Sequence, residues 1–98
     1  MKLWIDDLRP APEGYVWCTT VNQVMMLLHD PDVLDEIELL DLDHDAGSYA
    51  EFGGDYIKIL DFIEETGRSY PIRIHSMNVV GRQNMLAICE RNGWKVIP

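Results

Sequence analysis

The sequence is poor in cysteine and has no long apolar run. Its two cysteines, Cys18 and Cys89, are isolated and lack metal-ligand spacing, so we expect both to be small buried apolar side chains. The opening residues MKLWIDD become acidic at once and contain no signal-peptide core, and no segment reaches the length of a transmembrane helix. These absences predict a cytoplasmic protein with no membrane partner.

Basic residues are also scarce. Eight Lys and Arg stand against 17 Asp and Glu, which gives a formal net charge of −9. A surface this negative repels a polyanionic backbone, so extended nucleic-acid binding is excluded. A small phosphate ligand, a nucleotide or the end of an RNA could still bind where a divalent cation and a few Arg offset the carboxylates.

Strand and helix patterns alternate along the chain. The length of 98 residues and the apolar share of 47% predict a single domain over residues 1–98. Apolar and β-branched runs predict five strands, at Lys2–Asp6, Tyr15–Cys18, Ile37–Leu42, Pro71–His75 and Trp94–Ile97. Apolar residues at helical spacing predict three helices, which begin at Thr19 or Thr20, at Asp55 and near Asn78, and end near Leu28, Gly67 and Gly93.

This alternation predicts an α/β fold with an open parallel sheet. Ligands of such sheets bind beyond the carboxyl ends of the strands. The segment between the first two strands is too short for a helical crossover, which usually needs about a dozen residues. The chain also ends at the fifth strand, so we expect the helices after strands 1 and 5 to be missing.

Carboxylates follow the first and third predicted strands. Asp6 and Asp7 end the first strand, and the segment DLDHDAG, residues 41–47, supplies three more, among them Asp43. Neighbouring strands would crowd these side chains at one edge, and a cation relieves such repulsion. Carboxylate oxygens suit Mg²⁺ or Mn²⁺, so we predict a metal site formed by Asp6, Asp7 and Asp43. An acidic turn in contact with solvent alone is the alternative.

A second group of polar residues follows the fourth predicted strand, in the segment IRIHSMNVVGRQN. A helix N-terminus with nearby Arg, Asn and Ser is a natural phosphate site, because its free N–H groups and its dipole favour anions. The predicted phosphate-binding residues are Arg9, Ser76, Asn78, Arg82 and Asn84. Arg9 is equally suited to an ion pair with Asp6 or Asp7.

Two histidines lie beside the predicted acidic edge. His44 and His75 together suit a general acid and base, with Asp45 orienting one of them. The predicted catalytic residues are therefore Asp43, His44, Asp45 and His75. A purely structural role is the alternative for a single histidine at the end of a strand.

Three segments, LWIDDLRPAPEG, LDHD with the glycine-containing loop after it, and IHSMNVVGRQNM, resemble the cyclic-phosphate processing receiver domains. The resemblance implies a flavodoxin-like, receiver-like open parallel sheet of five strands in the order 2-1-3-4-5. Asp6 and Asp7 after the first strand, Asp43 and Ser76 match the receiver pattern, in which Asp43 is the phospho-acceptor position and Asp41 is the less favoured alternative. The Lys that follows the fifth strand of a receiver is absent here, and the two histidines are additions.

The missing Lys disfavours a phosphorylation switch, and the added histidines favour hydrolysis. We therefore predict a phosphoesterase that uses Mg²⁺ or Mn²⁺ to process cyclic or terminal phosphates of nucleotides or RNA ends. The alternatives are a non-catalytic degenerate receiver that binds metal or phosphate, and a dimerisation module with a vestigial acidic edge. Without helices after strands 1 and 5 one sheet face is left bare, which predicts a homodimer through that face.

Overall fold

Four strands form one parallel sheet. The computed structural model describes residues 1–98. The strands are β1 Lys2–Ile5, β2 Tyr15–Cys18, β3 Leu39–Leu42 and β4 Ile72–Ile74, and their order across the sheet is β2-β1-β3-β4. The α-helices are α1 Val21–Leu28, α2 Pro31–Leu34, α3 Ile57–Thr66 and α4 Val79–Asn92, and a 3-10 helix spans Gly47–Phe52. None of these helices combines the length and the apolar character that crossing a bilayer requires.

The predicted fifth strand is not confirmed. The C-terminal segment makes a single parallel bridge, between Ile72 and Val96. The Ile72 N–H donates to the Lys95 carbonyl at 2.9 Å, and the Ile97 N–H donates to the Ile72 carbonyl at 2.8 Å. The predicted order 2-1-3-4 holds for the four strands that do form.

Helices cover only one face of the sheet. Leu3 pairs with Leu40, and Leu40 pairs with Ile72, so these three side chains share a face. They are fully buried in one apolar cluster with residues of α1, α3 and α4. The opposite face carries Trp4 and Asp41, which are buried but lie outside that cluster. No helix lies between β1 and β2, and α1, α3 and α4 pack against the first face.

The helix termini follow from local sequence. Thr20, one of the two residues predicted to start α1, forms a capping box with Gln23, and Asn78 caps α4 through the Gly81 N–H. Gly67 and Gly93 end α3 and α4 with φ of 73° and 66°, a left-handed conformation that glycine adopts without steric cost.

Two local predictions were wrong, and one short helix was not predicted. Helix α1 ends before Asp30 and Pro31, as expected, but Asp30 then caps the short helix α2, in which Pro31 occupies the first turn. Residues 47–52 were expected to form an irregular loop, and they form a 3-10 helix. Asp55 does not cap α3, because its side chain accepts a hydrogen bond from the Ala46 N–H at 3.0 Å.

We predict that two copies of the chain associate through the face that no helix covers. Trp17 points to that face and is 42% exposed. The substitution Trp17→Lys should shift the chain from dimer to monomer in sedimentation velocity, because it places a charge in an apolar contact. Met26→Lys is the matched control, since Met26 is 76% exposed on α1. A monomer mass for the unsubstituted chain at every concentration would contradict the prediction.

Candidate functional site

The carboxyl ends of three strands carry polar side chains that meet at one edge. The Asp6 N–H donates to the Cys18 carbonyl at 3.2 Å, the Asp43 N–H to the Ile5 carbonyl at 2.9 Å, and the His75 N–H to the Leu42 carbonyl at 3.0 Å. These hydrogen bonds continue the sheet ladder by one residue beyond each strand. Asp6, Asp43 and His75 are therefore held side by side by the backbone, at the edge where the sequence predicted a site. We call the set Asp6, Asp7, Asp43 and His75 the rim.

His75 bridges two carboxylates. Its Nε2 lies 2.9 Å from Asp6 Oδ2, and its Nδ1 lies 2.7 Å from Asp41 Oδ1. Because an ionised carboxylate only accepts hydrogen bonds, this geometry favours the imidazolium form, in which both ring nitrogens donate. The ring also stacks on the Trp4 indole, with centroids 4.0 Å apart and planes 5° from parallel. The negative face of an indole attracts a cation, so this stacking also favours the charged ring.

Two opposing effects act on the pKa of His75, burial and the contacts with the two carboxylates. Burial is the largest single influence and by itself disfavours the charged ring. The hydrogen bonds and negative charges of Asp41 and Asp6 together outweigh burial and raise the pKa of His75 above its ordinary value. We call the set Asp6, His75 and Asp41 the clamp.

Asp41 is the clamp residue that the sequence offered only as one carboxylate of the acidic segment and as a less favoured phospho-acceptor position, and its pairing with His75 was not predicted. It is fully buried within β3, and its Oδ2 also accepts a hydrogen bond from Arg73 Nη1 at 3.1 Å. A buried charge is stable only when it is paired and hydrogen-bonded. The signal in the sequence was a charged residue inside the apolar run that forms the central strand.

Asp6, Asp7 and Asp43 form the acidic cluster that the sequence predicted as a metal site. One carboxylate oxygen of each lies within 4.8 Å of the other two. Asp6 Oδ1 accepts hydrogen bonds from the N–H groups of Leu8 and Arg9, both at 2.9 Å. Burial opposes ionisation of Asp6, but these hydrogen bonds and His75 outweigh it and lower the pKa of Asp6.

Asp7 is the member of this cluster whose negative charge is least stabilised. Burial, followed by the negative charges of Asp6, Asp43 and Asp45, raises the pKa of Asp7. Its carboxylate fits only because residue 47 is glycine, since a Cβ at that position would lie 2.5 Å from Asp7 Oδ2. Hard oxygen donors under mutual repulsion are a suitable set for a divalent cation.

His44 and Asp45 form a second arrangement beside the cluster. His44 Nδ1 donates to Asp45 Oδ1 at 2.7 Å, and Asn78 Nδ2 holds the same oxygen at 3.2 Å. The hydrogen bond from His44 is the main cause that lowers the pKa of Asp45. His44 Nε2 makes no hydrogen bond within the chain, so it is free to accept a proton. A Cβ on residue 81 would overlap the His44 ring, and Gly81 therefore gives the ring its position.

Four phosphate-binding residues were predicted after the fourth strand and on α4. Three of them lie near the end of β4 and the fourth does not. Ser76 Oγ accepts a hydrogen bond from the Asn78 N–H at 3.1 Å, which shapes the turn after the rim. Arg82 Nη1 donates to the Ile74 carbonyl, one residue before His75. Asn84 is exposed on α4 and has no hydrogen bond to the rim. The structure therefore brings Ser76, Asn78 and Arg82 to the end of β4 and leaves Asn84 apart.

Arg9 lies over the rim from the loop after β1. Its Nε is 3.9 Å from Asp6 Oδ2, and its side chain is half exposed. The Arg9 carbonyl accepts a hydrogen bond from Trp4 Nε1 at 2.8 Å, which fixes the backbone of this loop. The guanidinium keeps donors free for a phosphate, and the ion pair that the sequence offered as an alternative is long.

We predict that the substitution His75→Ala lowers the free energy of unfolding by about 3–5 kcal/mol near neutral pH, because it removes the cationic partner that two buried carboxylates share. The raised folded-state pKa sets the pH dependence. The stabilisation by His75 is complete below the unfolded-state pKa of about 6.5 and is lost as the pH rises through the higher folded-state value. Urea unfolding of both chains over a series of pH values measures the difference.

The control for this experiment is His29→Ala, which removes an exposed ring hydrogen-bonded only to the Met25 carbonyl. It should change the unfolding free energy by no more than about 0.5 kcal/mol. An advantage of the unsubstituted chain over His75→Ala that grows with rising pH would contradict the clamp.

The comparisons with known proteins agree with this geometry. A family model described as the cyclic-phosphate processing receiver domain matches residues 1–91, which include all residues of the rim, the clamp and the His44–Asp45 pair. Searches of curated proteins and of solved structures found no match. The resemblance seen in the sequence is confirmed, and the four-stranded parallel sheet with its acidic edge is a receiver-like fold. The chain belongs to the family of cyclic-phosphate processing receiver domains.

Proposed function

We propose that the protein is a metal-dependent phosphoesterase that acts on cyclic or terminal phosphates of nucleotides or RNA ends. The observation that carries this proposal is the Asp45-oriented His44, which directly follows Asp43 of the acidic cluster and whose Nε2 makes no hydrogen bond within the chain. The two are joined directly, because the His44 N–H donates to Asp43 Oδ1 at 2.7 Å. A proton acceptor beside a metal-binding set of carboxylates is the arrangement that phosphate ester hydrolysis requires.

Asp6, Asp7 and Asp43 would hold Mg²⁺ or Mn²⁺. The fit rests on their short mutual distances, on their hard oxygen donors and on the repulsion that raises the pKa of Asp7. Asp6 Oδ2 is shared with His75, and Asp43 has Oδ2 without a hydrogen bond within the chain. When bound, the metal ion would polarise a phosphoryl oxygen and orient the attacking water.

We assign the role of general base to His44. Asp45 fixes the proton of the ring on Nδ1, which leaves Nε2 as the acceptor. Nε2 takes a proton from the water whose oxygen forms a new bond to phosphorus, and the bond from phosphorus to one ribose oxygen breaks. The released ribose oxygen takes back the proton held on Nε2, which regenerates the neutral His44 ring, and the product of a cyclic phosphate is a phosphate monoester.

The role of His75 as a second proton carrier stays a prediction. Both of its ring nitrogens contact carboxylates, so proton transfer from His75 requires one of those contacts to open. We infer that its first contribution is to hold Asp6 in position for the metal ion. For the phosphate we propose Arg9, Ser76, Asn78 and Arg82 as ligands, and Asn84 as an outer one.

The proposal is tested with 2′,3′-cyclic nucleotides in the presence of Mg²⁺ or Mn²⁺. His44→Ala should lower kcat by about 100-fold or more, because it removes the general base. A chelator should abolish turnover, and the metal ion should restore it. His29→Ala is the matched control and should retain full activity. No turnover by the unsubstituted chain, or equal turnover by His44→Ala, would remove the proposal.

Gly81 offers a separate test, as a residue that positions His44. Gly81→Ala should lower kcat by about 10-fold to 100-fold with little change in KM, because the added methyl group displaces the ring. Gln83→Ala, an exposed substitution on the same helix, is the control. Combining Gly81→Ala with His44→Ala should give no further loss beyond His44→Ala alone. Additive losses would show that Gly81 acts through folding and not through His44.

A non-catalytic receiver is the second candidate, and one observation favours it. Asp43 Oδ1 accepts only the His44 N–H, so Oδ2 is available as a phosphate acceptor, as in a receiver. Labelling of Asp43 by acetyl phosphate, with no turnover of cyclic nucleotides, would support this candidate over the phosphoesterase.

A further inference from the structure

A cavity outside the rim opens between α1 and the 3-10 helix. It has a volume of about 340 Å³, within the range of about 300–1,000 Å³ that is usual for small-molecule sites. Tyr49 and Phe52 line one side, and Asn22 and Met26 line the other. Phe52 is 47% exposed, and the Asn22 amide makes no hydrogen bond within the chain. The cavity thus offers aromatic faces together with an unpaired amide.

The cavity is connected to the rim in two ways. The 3-10 helix that carries Tyr49 and Phe52 begins at Gly47, which lies against Asp7. At a rise of about 2 Å per residue, Phe52 is about 10 Å along this helix from Gly47. Tyr56 makes the second connection, because its hydroxyl donates to the carbonyl of Thr19, a residue of the cavity wall, at 2.7 Å.

Tyr56 also lies close to the carboxylates. It is fully buried, and burial followed by the charges of Asp7, Asp6 and Asp43 raises the pKa of its hydroxyl. Tyr56 thus contacts the cavity wall directly and lies near the acidic cluster. A ligand that reaches both places needs an anionic group at the rim and a flat group about 10 Å from it.

The shape of the cavity is set by the backbone. A Cβ at Gly53 would lie 2.8 Å from Val21 Cβ, and Gly53 has a φ of 119°. The end of the 3-10 helix therefore packs against the start of α1 with no space for a side chain between them. A site built in this way is formed before its ligand arrives.

We propose that this cavity binds the nucleobase of a nucleotide whose phosphate lies at the rim. The proposal rests on the phosphoesterase function and names its substrate class, a nucleoside 2′,3′-cyclic phosphate. Aromatic faces stack on bases, and an amide can pair with a base edge. The phosphate could belong to a free nucleotide or to an RNA 3′ end, and the net charge of −9 favours the free nucleotide.

A competing apolar surface lies on the other side of the rim. Met77, Val79 and Val80 are 84%, 68% and 66% exposed at the start of α4. These side chains are aliphatic and offer no hydrogen-bonding group to a base edge. The cavity is therefore the better base site, and the Met77 surface is the control.

The experiment compares two ligands on the whole chain with Mg²⁺ present. One is adenosine 2′,3′-cyclic phosphate, and the other is the base-free ribose 2′,3′-cyclic phosphate. Phe52→Ala and Asn22→Ala should each weaken binding of the adenosine compound by roughly 10-fold, the loss expected for one base contact, and should leave the ribose compound unchanged. Met77→Ala should change neither. Binding is measured by isothermal titration calorimetry and by NMR shifts of the Asn22 and Tyr49 amides, and turnover is measured separately.

The outcomes distinguish failure of the base-binding cavity from failure of the proposed hydrolysis. Binding that follows this pattern without turnover would keep the nucleotide site and reject hydrolysis. Turnover of both compounds with equal KM, unaffected by the cavity substitutions, would keep hydrolysis and overturn the nucleotide site. An effect of Met77→Ala alone, or no binding of the adenosine compound, would also overturn it. Tighter binding of a short RNA with a cyclic phosphate end would overturn the free nucleotide as the substrate.

Discussion

The structure depends on a histidine that joins two buried carboxylates across three strands. His75 follows β4, Asp6 follows β1, and Asp41 lies within β3 between them. Apolar packing stabilises the other face of the sheet, where helices lie, but no helix reaches this face. The clamp and the Trp4 ring beneath it take the place of that packing. Charges and hydrogen bonds therefore hold together a face that a receiver with its full set of helices would cover.

This constraint reaches the acidic cluster through Asp6. Asp6 Oδ2 accepts from His75, and Asp6 Oδ1 accepts two backbone N–H groups of the following loop, so its carboxylate has one orientation. Asp7 and Asp43 have fewer contacts and adapt more easily. Hydrogen bonds behind a ligand orient it toward a metal ion, so in the proposed site Asp6 would set the position of the cation. The residue that stabilises the sheet is thus also the residue that sets the geometry of the proposed site.

The sequence predicted the four strands and the edge at which they place polar residues, because period, composition and strand ends are local properties. Asp41 could not be assigned, since its role depends on Arg73 and His75, which lie on another strand and become neighbours only when β3 pairs with β4. The 3-10 helix at Gly47–Phe52 was missed because its sequence has no apolar period, and its position is set by contact with Asp7. The segment predicted as the fifth strand pairs with β4 through a single bridge, between Ile72 and Val96.

His75 at the rim and His44 beside Asp43 differ in the number of carboxylates that contact the ring. That number determines whether a ring nitrogen is left free. His75 has a carboxylate at each nitrogen, so its proton is held from both sides and the ring acts as a cationic link. His44 has a carboxylate at one nitrogen only, so the ring is oriented and the other nitrogen is left to exchange a proton. A histidine thus stabilises the sheet at position 75, and at position 44 it suits the proton transfer that we propose. The same reasoning explains why Gly81 matters, because only a residue without a side chain lets the His44 ring lie against α4 with its second nitrogen free.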